Sequence, residues 1–192
     1  MILYKRLGHN GRMGNQMFQV ASLIGLSKPF KHDYIIPKWG YSKYFKTKFN
    51  EGNTHFFDRV VAENSFLYDH EYWQQHLSNE KETLNIEGYL QSPNYWQQDR
   101  NFVKNLFALK EDFSRKMDRL FPFKETTIAV HIRRGDYIAN PNYINLGVAY
   151  YHNAIGLLPK GRVIMFTDDY NYCKNMFRGY NAVFDYQGMN EI

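Results

Sequence analysis

A single cysteine, Cys173, stands among 192 residues, so the chain can form no internal disulfide and no thiolate metal cluster. Seven histidines are scattered without the spacing of metal ligands, and no metal is expected. Nowhere do about 18 apolar residues run together, which predicts no integral membrane segment. The opening Met1-Ile2-Leu3-Tyr4-Lys5-Arg6 has no long apolar stretch, which predicts no signal peptide. Asn-x-Ser/Thr sequons, internal repeats and low-complexity segments are also missing. These absences favour a reducing, cytoplasmic setting.

What is present suits a chain with a real core. A hydrophobic share of 44% is ordinary for a globular protein and argues against disorder. The aromatic share of 18%, with sixteen Tyr and fifteen Phe, is high. Such side chains build cores, but they also stack on sugar rings and bases. A net charge of +5 and a pI near 9.1 favour an anionic ligand without demanding nucleic acid.

The most informative stretch is Ile128-Ala129-Val130-His131-Ile132-Arg133-Arg134-Gly135-Asp136-Tyr137. An apolar run reads as a buried strand, and two arginines, a glycine and an aspartate follow it at once. In an open α/β sheet, ligands gather beyond the carboxyl ends of strands, where paired guanidinium forks can grip phosphate oxygens. The same residues could instead form a structural Arg–Asp ion pair. Val163-Ile164-Met165-Phe166-Thr167 repeats the arrangement, running into Asp168-Asp169. There Thr167 or Asp168 could reach a ligand, or an aspartate could cap the next helix.

Near the start, Ile2-Leu3-Tyr4 reads as a strand. It leads into the glycine loop Gly8-His9-Asn10-Gly11-Arg12-Met13-Gly14-Asn15-Gln16 and then a helix carrying Met17, Val20, Ala21 and Ile24. The unit is Rossmann-like, but the glycine spacing is not the dinucleotide fingerprint, and no Gly-Lys-Ser/Thr marks a P-loop, so neither NAD nor ATP is expected. From Lys28 to Phe49, six lysines interleave with aromatics around a strand at Tyr34-Ile35-Ile36. That pattern suits single-stranded nucleic acid, yet no recognised module accompanies it, and no nucleic-acid partner is expected. Residues 50 to 85 show no clear period. A strand is expected to end near Leu90, with Gln91 as a polar group at its end and Ser92-Pro93 opening a helix.

Phe102, Leu106, Leu109, Phe113, Met117 and Leu120 recur every three or four residues, which predicts one long amphipathic core helix over 97–120, ended by Pro122. Further helices are expected over 149–158 and 172–177, and strands over 163–167 and 182–184. The expected domains are residues 1–120 and 121–192.

Three stretches resemble one family in order, spacing and wording: Gly11-Arg12-Met13-Gly14-Asn15-Gln16-Met17-Phe18-Gln19, Gly88-Tyr89-Leu90-Gln91-Ser92-Pro93-Asn94-Tyr95-Trp96, and His131-Ile132-Arg133-Arg134-Gly135-Asp136-Tyr137. They look like the α-1,2-fucosyltransferases of glycosyltransferase family 11. Met165-Phe166-Thr167-Asp168-Asp169 is similar to that family's Phe-Ser/Thr-Asp-Asp segment, and Asn140-Pro141 and Tyr150-Tyr151 fall where members keep similar residues.

The resemblance implies an α/β fold of GT-B type, with two Rossmann-like lobes bearing parallel sheets and the site in the cleft between them. It implies metal-independent transfer of L-fucose from GDP-fucose, with inversion, to the 2-hydroxyl of an acceptor sugar, usually a galactose in a glycan. Arg133 matches the first arginine of the family's His-x-Arg-Arg motif and is expected at the β-phosphate, with Arg134 assisting or pairing with Asp136. His131 is expected to position the arginines or the nucleotide. Gly14, Asn15 and Gln16 match the Gly-Asn-Gln loop of the opposite lobe, and Asp136 is a candidate base. Lack of an anchor speaks for a cytoplasmic bacterial or viral form, at most peripheral to a membrane. Members usually continue for roughly another hundred residues, so the second lobe is expected to be incomplete. The alternative is a catalytically impaired short relative that only binds a glycan or nucleic acid.

Overall fold

Short apolar strands separated by helices force crossover connections, and both ends of the chain build parallel sheets this way. The computed structural model describes residues 1–96, 100–122, 125–180 and 182–185, with backbone alone for Arg100 and for 182–185. Its residues cluster into two compact units, Met1–Met117 and Asp118–Ile192, compared with the expected division after residue 120.

The first unit has strands β1 (Ile2–Leu3), β2 (Tyr34–Ile35), β3 (Arg59–Ala62) and β4 (Leu84–Glu87), all parallel, in the order β2-β1-β4-β3. Central β1 is fully buried, as a strand covered on both faces must be. Helix α1 (Met13–Ser27) packs Val20, Leu23 and Ile24 into the core, and α2 (His70–Leu77) adds Trp73 and Leu77. Asp69 caps α2 by accepting from Tyr72 N at 3.0 Å, which holds its carboxyl below the usual range. β3 and α2 arise from residues 50–85, where no period was legible. β3, exposed at every residue but Val61, and an eight-residue helix are too short to impose one.

The long helix expected over 97–120 is instead two, α3 (Arg100–Leu106) and α4 (Glu111–Leu120), and residues 97–99 lie outside the described set. Between them the chain extends to pair with residues 44–46. Lys46 N donates to Ala108 O at 2.8 Å, Lys110 N donates to Tyr44 O at 2.9 Å, and Phe45 and Leu109 form an antiparallel bridge. Leu109 still faces the core, so the apolar spacing survives a break in the helix. α4 buries no residue fully. The strand expected to reach Leu90 stops at Glu87, because Gly88 (φ 146°) and Leu90 (φ 52°) turn the chain. Ser92-Pro93 opens a single 3₁₀ turn, Pro93–Tyr95.

The second unit has β5 (Thr127–Ile132), α5 (Gly135–Ile138), α6 (Val148–Gly156), β6 (Arg162–Thr167), α7 (Tyr170–Met176) and β7 (Ala182–Asp185). Its strands are parallel in the order β5-β6-β7. Ile128, Ile132, Val163, Met165, Cys173 and Phe177 form its core, against which Val148, Tyr151 and Ile155 of α6 pack. The apolar run predicts a buried strand, but β5 is buried on one face only. It lies at the edge of the sheet and alternates, with Ile128 and Ile132 buried and Ala129 and His131 exposed. The fold class is α/β with two parallel sheets, the second of three strands among the described residues.

Candidate active site

The strand β5 ends at buried Ile132, and β6 ends beside it at Thr167 in register. This adjacency brings His131-Ile132-Arg133-Arg134-Gly135-Asp136 against Thr167-Asp168-Asp169. Asp168 accepts from the backbone N–H of Arg134 at 2.7 Å and of Gly135 at 3.2 Å, clamping the turn that opens α5. Asp169 caps α7 by accepting from Tyr172 N at 3.1 Å, and its other oxygen accepts from Arg134 Nε, also at 3.1 Å. The two neighbouring aspartates thus divide the work, one holding backbone and the other a side chain. Thr167 is fully buried and its hydroxyl accepts from Asp169 N at 2.9 Å. In this arrangement its hydroxyl shapes the turn at the end of β6.

The two arginines are held differently. Arg134 stacks over Tyr172, with its guanidinium carbon 3.5 Å from the ring centroid, and its side chain is 24% exposed. Arg133 presents its fork to Asp136, Nε to Oδ1 at 3.0 Å and Nη2 to Oδ2 at 2.6 Å, over the ring of Tyr137 at 4.5 Å. Its side chain is 32% exposed and that of Asp136 is 55% exposed. The expected pairing of Arg134 with Asp136 is therefore corrected. Asp136 lies three residues beyond Arg133 on the first turn of α5, within reach of its fork, whereas Arg134 is drawn to the end of β6.

Beside them is a depression of about 200 Å³ whose lining includes His131, Arg133, Arg134, Tyr137, Asn145 and Tyr151. Asn145 fixes one wall by donating to Tyr137 O at 3.0 Å, and Tyr137 stacks on Tyr143 at 4.1 Å. Burial pushes the Tyr151 phenol and the Cys173 thiol up, so both are protonated at neutral pH. Cys173 is buried in the core and serves as packing. No group of three or more His, Cys, Asp or Glu able to hold a metal occurs among the described residues.

In the first unit, the glycine loop ends sooner than expected, and Gly14, Asn15 and Gln16 form the first turn of α1. Gln16 is buried, with Nε2 donating to Gly11 O at 2.9 Å and Oε1 accepting from Trp39 Nε1 at 2.9 Å. One turn on, Gln19 Nε2 donates to Asn10 O at 3.0 Å. Both glutamines brace the loop from beneath, so Gln16 supports the loop and does not present its amide outward. Gly11 takes φ 82°, and a Cβ there would come within 2.0 Å of the Asn15 amide. Gly14 faces open space, and Asn15 Oδ1 accepts from Gln91 Nε2 at 2.8 Å.

That partner, Gln91, was legible only as the polar end of a strand. What places it is Glu63, which carried no sequence signal. Glu63 Oε2 accepts from Tyr89 N at 3.0 Å and Leu90 N at 3.1 Å, while Oε1 accepts from Tyr95 Oη at 2.9 Å. With Ser22 Oγ donating to Leu90 O at 2.8 Å, these bonds hold Leu90 in the left-handed region that a leucine rarely adopts.

The two polar constellations coincide with the stretches whose wording is shared with a known family, and residues 4–188 match the family described as glycosyl transferase family 11. The chain belongs to glycosyl transferase family 11. A relative from Escherichia coli, the O-antigen biosynthesis glycosyltransferase WbnK, is 30% identical over 103 residues, covering 46% of this chain. The match covers 34% of WbnK, about a third of its length. In this family 11 chain no described helix is long and apolar enough to cross a membrane.

Proposed function

We propose that this family 11 chain serves transfer of L-fucose from GDP-fucose to the 2-hydroxyl of a galactose in a glycan acceptor, with inversion, and that arginine rather than a metal meets the leaving charge. In that reaction the bond from fucose C1 to the β-phosphate oxygen breaks and its electron pair leaves on the diphosphate. The acceptor oxygen bonds to C1 and loses its proton. The transition state is oxocarbenium-like at the sugar, with negative charge growing on the leaving group.

The observation that carries this reading is the fork of Arg133 on a half-exposed carboxylate beside the depression. An ion pair this open contributes only about 0.2–1 kcal/mol, so a phosphate can replace Asp136 at little cost. Arg133 then forms two charge-assisted bonds to the β-phosphate, and Asp136 is released to accept the hydroxyl proton. Arg134 keeps the turn in place, and we assign Asp168 the role of holding the backbone under both arginines. His131 contributes to the nucleotide wall. Asn15 and Gly14, at the start of α1, are assigned to sugar recognition.

Incubation with GDP-fucose and lactose, followed by mass and linkage analysis, should give a product one deoxyhexose heavier, linked at the galactose 2-position. Arg133→Ala should reduce the rate on the order of a hundredfold. GDP-mannose used in preference to GDP-fucose, or a product linked elsewhere, contradicts the reading. GDP binding without turnover would favour the impaired, binding-only alternative. As a nucleic-acid module that alternative has less support, because Trp39 and Phe45 are buried and pack with Phe49 at 5.1–6.3 Å, which takes them out of any groove for bases.

A further inference from the structure

Residues 28–49 hold six lysines against one aspartate, which equals the net charge of the whole chain, so the remainder is balanced. Folding turns several of these lysines away from the aromatics that enter the core, although Lys43 stays over the Tyr44 ring at 5.1 Å. Phe45, 2% exposed, points into the core and pairs across with Leu109. In such a pair the flanking residues face the opposite way, so Lys46 on one segment and Lys110 on the other turn to the solvent side. Lys43, Lys46, Lys48 and Lys110 together line a depression of about 320 Å³ that also has the Thr47 hydroxyl in its wall.

The charges in this depression lack the arrangement found elsewhere in the chain. Ion pairs among the described residues are made by arginines: Arg6, Arg59, Arg115, Arg133, Arg134 and Arg162 each meet a carboxylate. None of the four lysines does. The one acid in the wall, Glu51, already accepts from Trp39 N at 3.2 Å. The scaffold is fixed by the backbone bonds at residues 44–46 and 108–110 and by the aromatic packing beneath them. Four lysines around one concavity with a single carboxylate, Glu51, leave an excess of positive charge that an entering anion relieves.

We propose that this lysine-lined depression is an anion site that takes a phosphate group, either free in solution or on the headgroup of an anionic phospholipid. Lysines act as point charges that converge on a multiply charged oxyanion without needing a planar fork. A concavity suits one phosphate better than an extended polymer, and the buried aromatics offer nothing for bases to stack on. The inference stands on these residues alone and does not depend on the proposed donor chemistry at Arg133.

The test uses the full chain in an Arg133→Ala background, which silences the other candidate phosphate contact. Inorganic pyrophosphate should raise the melting temperature by a few degrees, and Lys46→Gln with Lys110→Gln should remove most of that shift. Sedimentation with phosphatidylglycerol-containing vesicles, against pure phosphatidylcholine, reads the lipid source. Retention there should fall several-fold in the double variant and at raised salt. A lysine-dependent response to pyrophosphate alone identifies a free phosphate ligand, and one to vesicles identifies a headgroup. Lys46→Arg with Lys110→Arg keeps the charge and should keep binding. If neither probe binds, or both bind equally well without the lysines, the proposal is overturned.

Discussion

The two units hold their candidate residues by opposite means. In Met1–Met117 the polar groups are fixed from below, by buried glutamines under the glycine loop and by Glu63 under the Leu90 turn. In Asp118–Ile192 they are fixed from the side, by carboxylates facing two arginines at the ends of β5 and β6. The cores match this division: nineteen buried residues form the first cluster and six the second, among the described residues. A site braced by a core is preorganised and resists change, whereas one braced by half-exposed ion pairs can exchange partners. Ligand-driven rearrangement is therefore expected in the second unit.

The most forceful way to break this comparison is to damage the larger core. Trp73 is 0% exposed, and Trp73→Ala should lower stability by about 3–5 kcal/mol, read as a fall in the denaturant midpoint. Little loss would mean that the first unit is not held by its core. A smaller effect is expected at the glycine loop. Gly11→Ala must accommodate a positive φ and displace the Asn15 amide, for about 1–3 kcal/mol. Gly14→Ala, facing open space, should leave stability unchanged or raised. Equal penalties at the two glycines would contradict the bracing described for the loop.

pH sharpens the contrast further. Burial and the neighbouring Glu63 carboxylate raise the Tyr95 phenol above its ordinary value of 10.0. Because the folded value is the higher one, the unfolded chain loses this proton first. The associated stability is present below about pH 10 and is lost as pH rises beyond it. A pH series of denaturant midpoints should show the decline, and Tyr95→Phe should make it shallower. An unchanged slope would remove Tyr95 from the account.

The legible parts of the sequence were those with strong local signals. The parallel strands at Ile2-Leu3, Thr127–Ile132 and Arg162–Thr167 are apolar enough to stand out, and the glycine loop and the double arginine mark their carboxyl ends. What could not be read was non-local. Residues 107–110 leave the helix because residues 44–46 offer backbone partners far away in sequence, and spacing cannot reveal such a competitor. Glu63 looks like any surface acid until the Gly88–Leu90 turn folds onto it. In sequence the aspartates read equally as ligand or cap, and only the β5–β6 register shows that Asp168 holds backbone while Asp169 both caps and pairs.

The central claim is that Arg133 trades the Asp136 carboxylate for a nucleotide's phosphate. Thermal melting with saturating GDP, in the parent chain and in Arg133→Ala and Asp136→Asn, tests it most directly. The account predicts that GDP protects the parent, that Arg133→Ala abolishes the protection, and that Asp136→Asn, by removing the competitor, preserves or increases it. Protection that survives Arg133→Ala, or that disappears with Asp136→Asn, would contradict it.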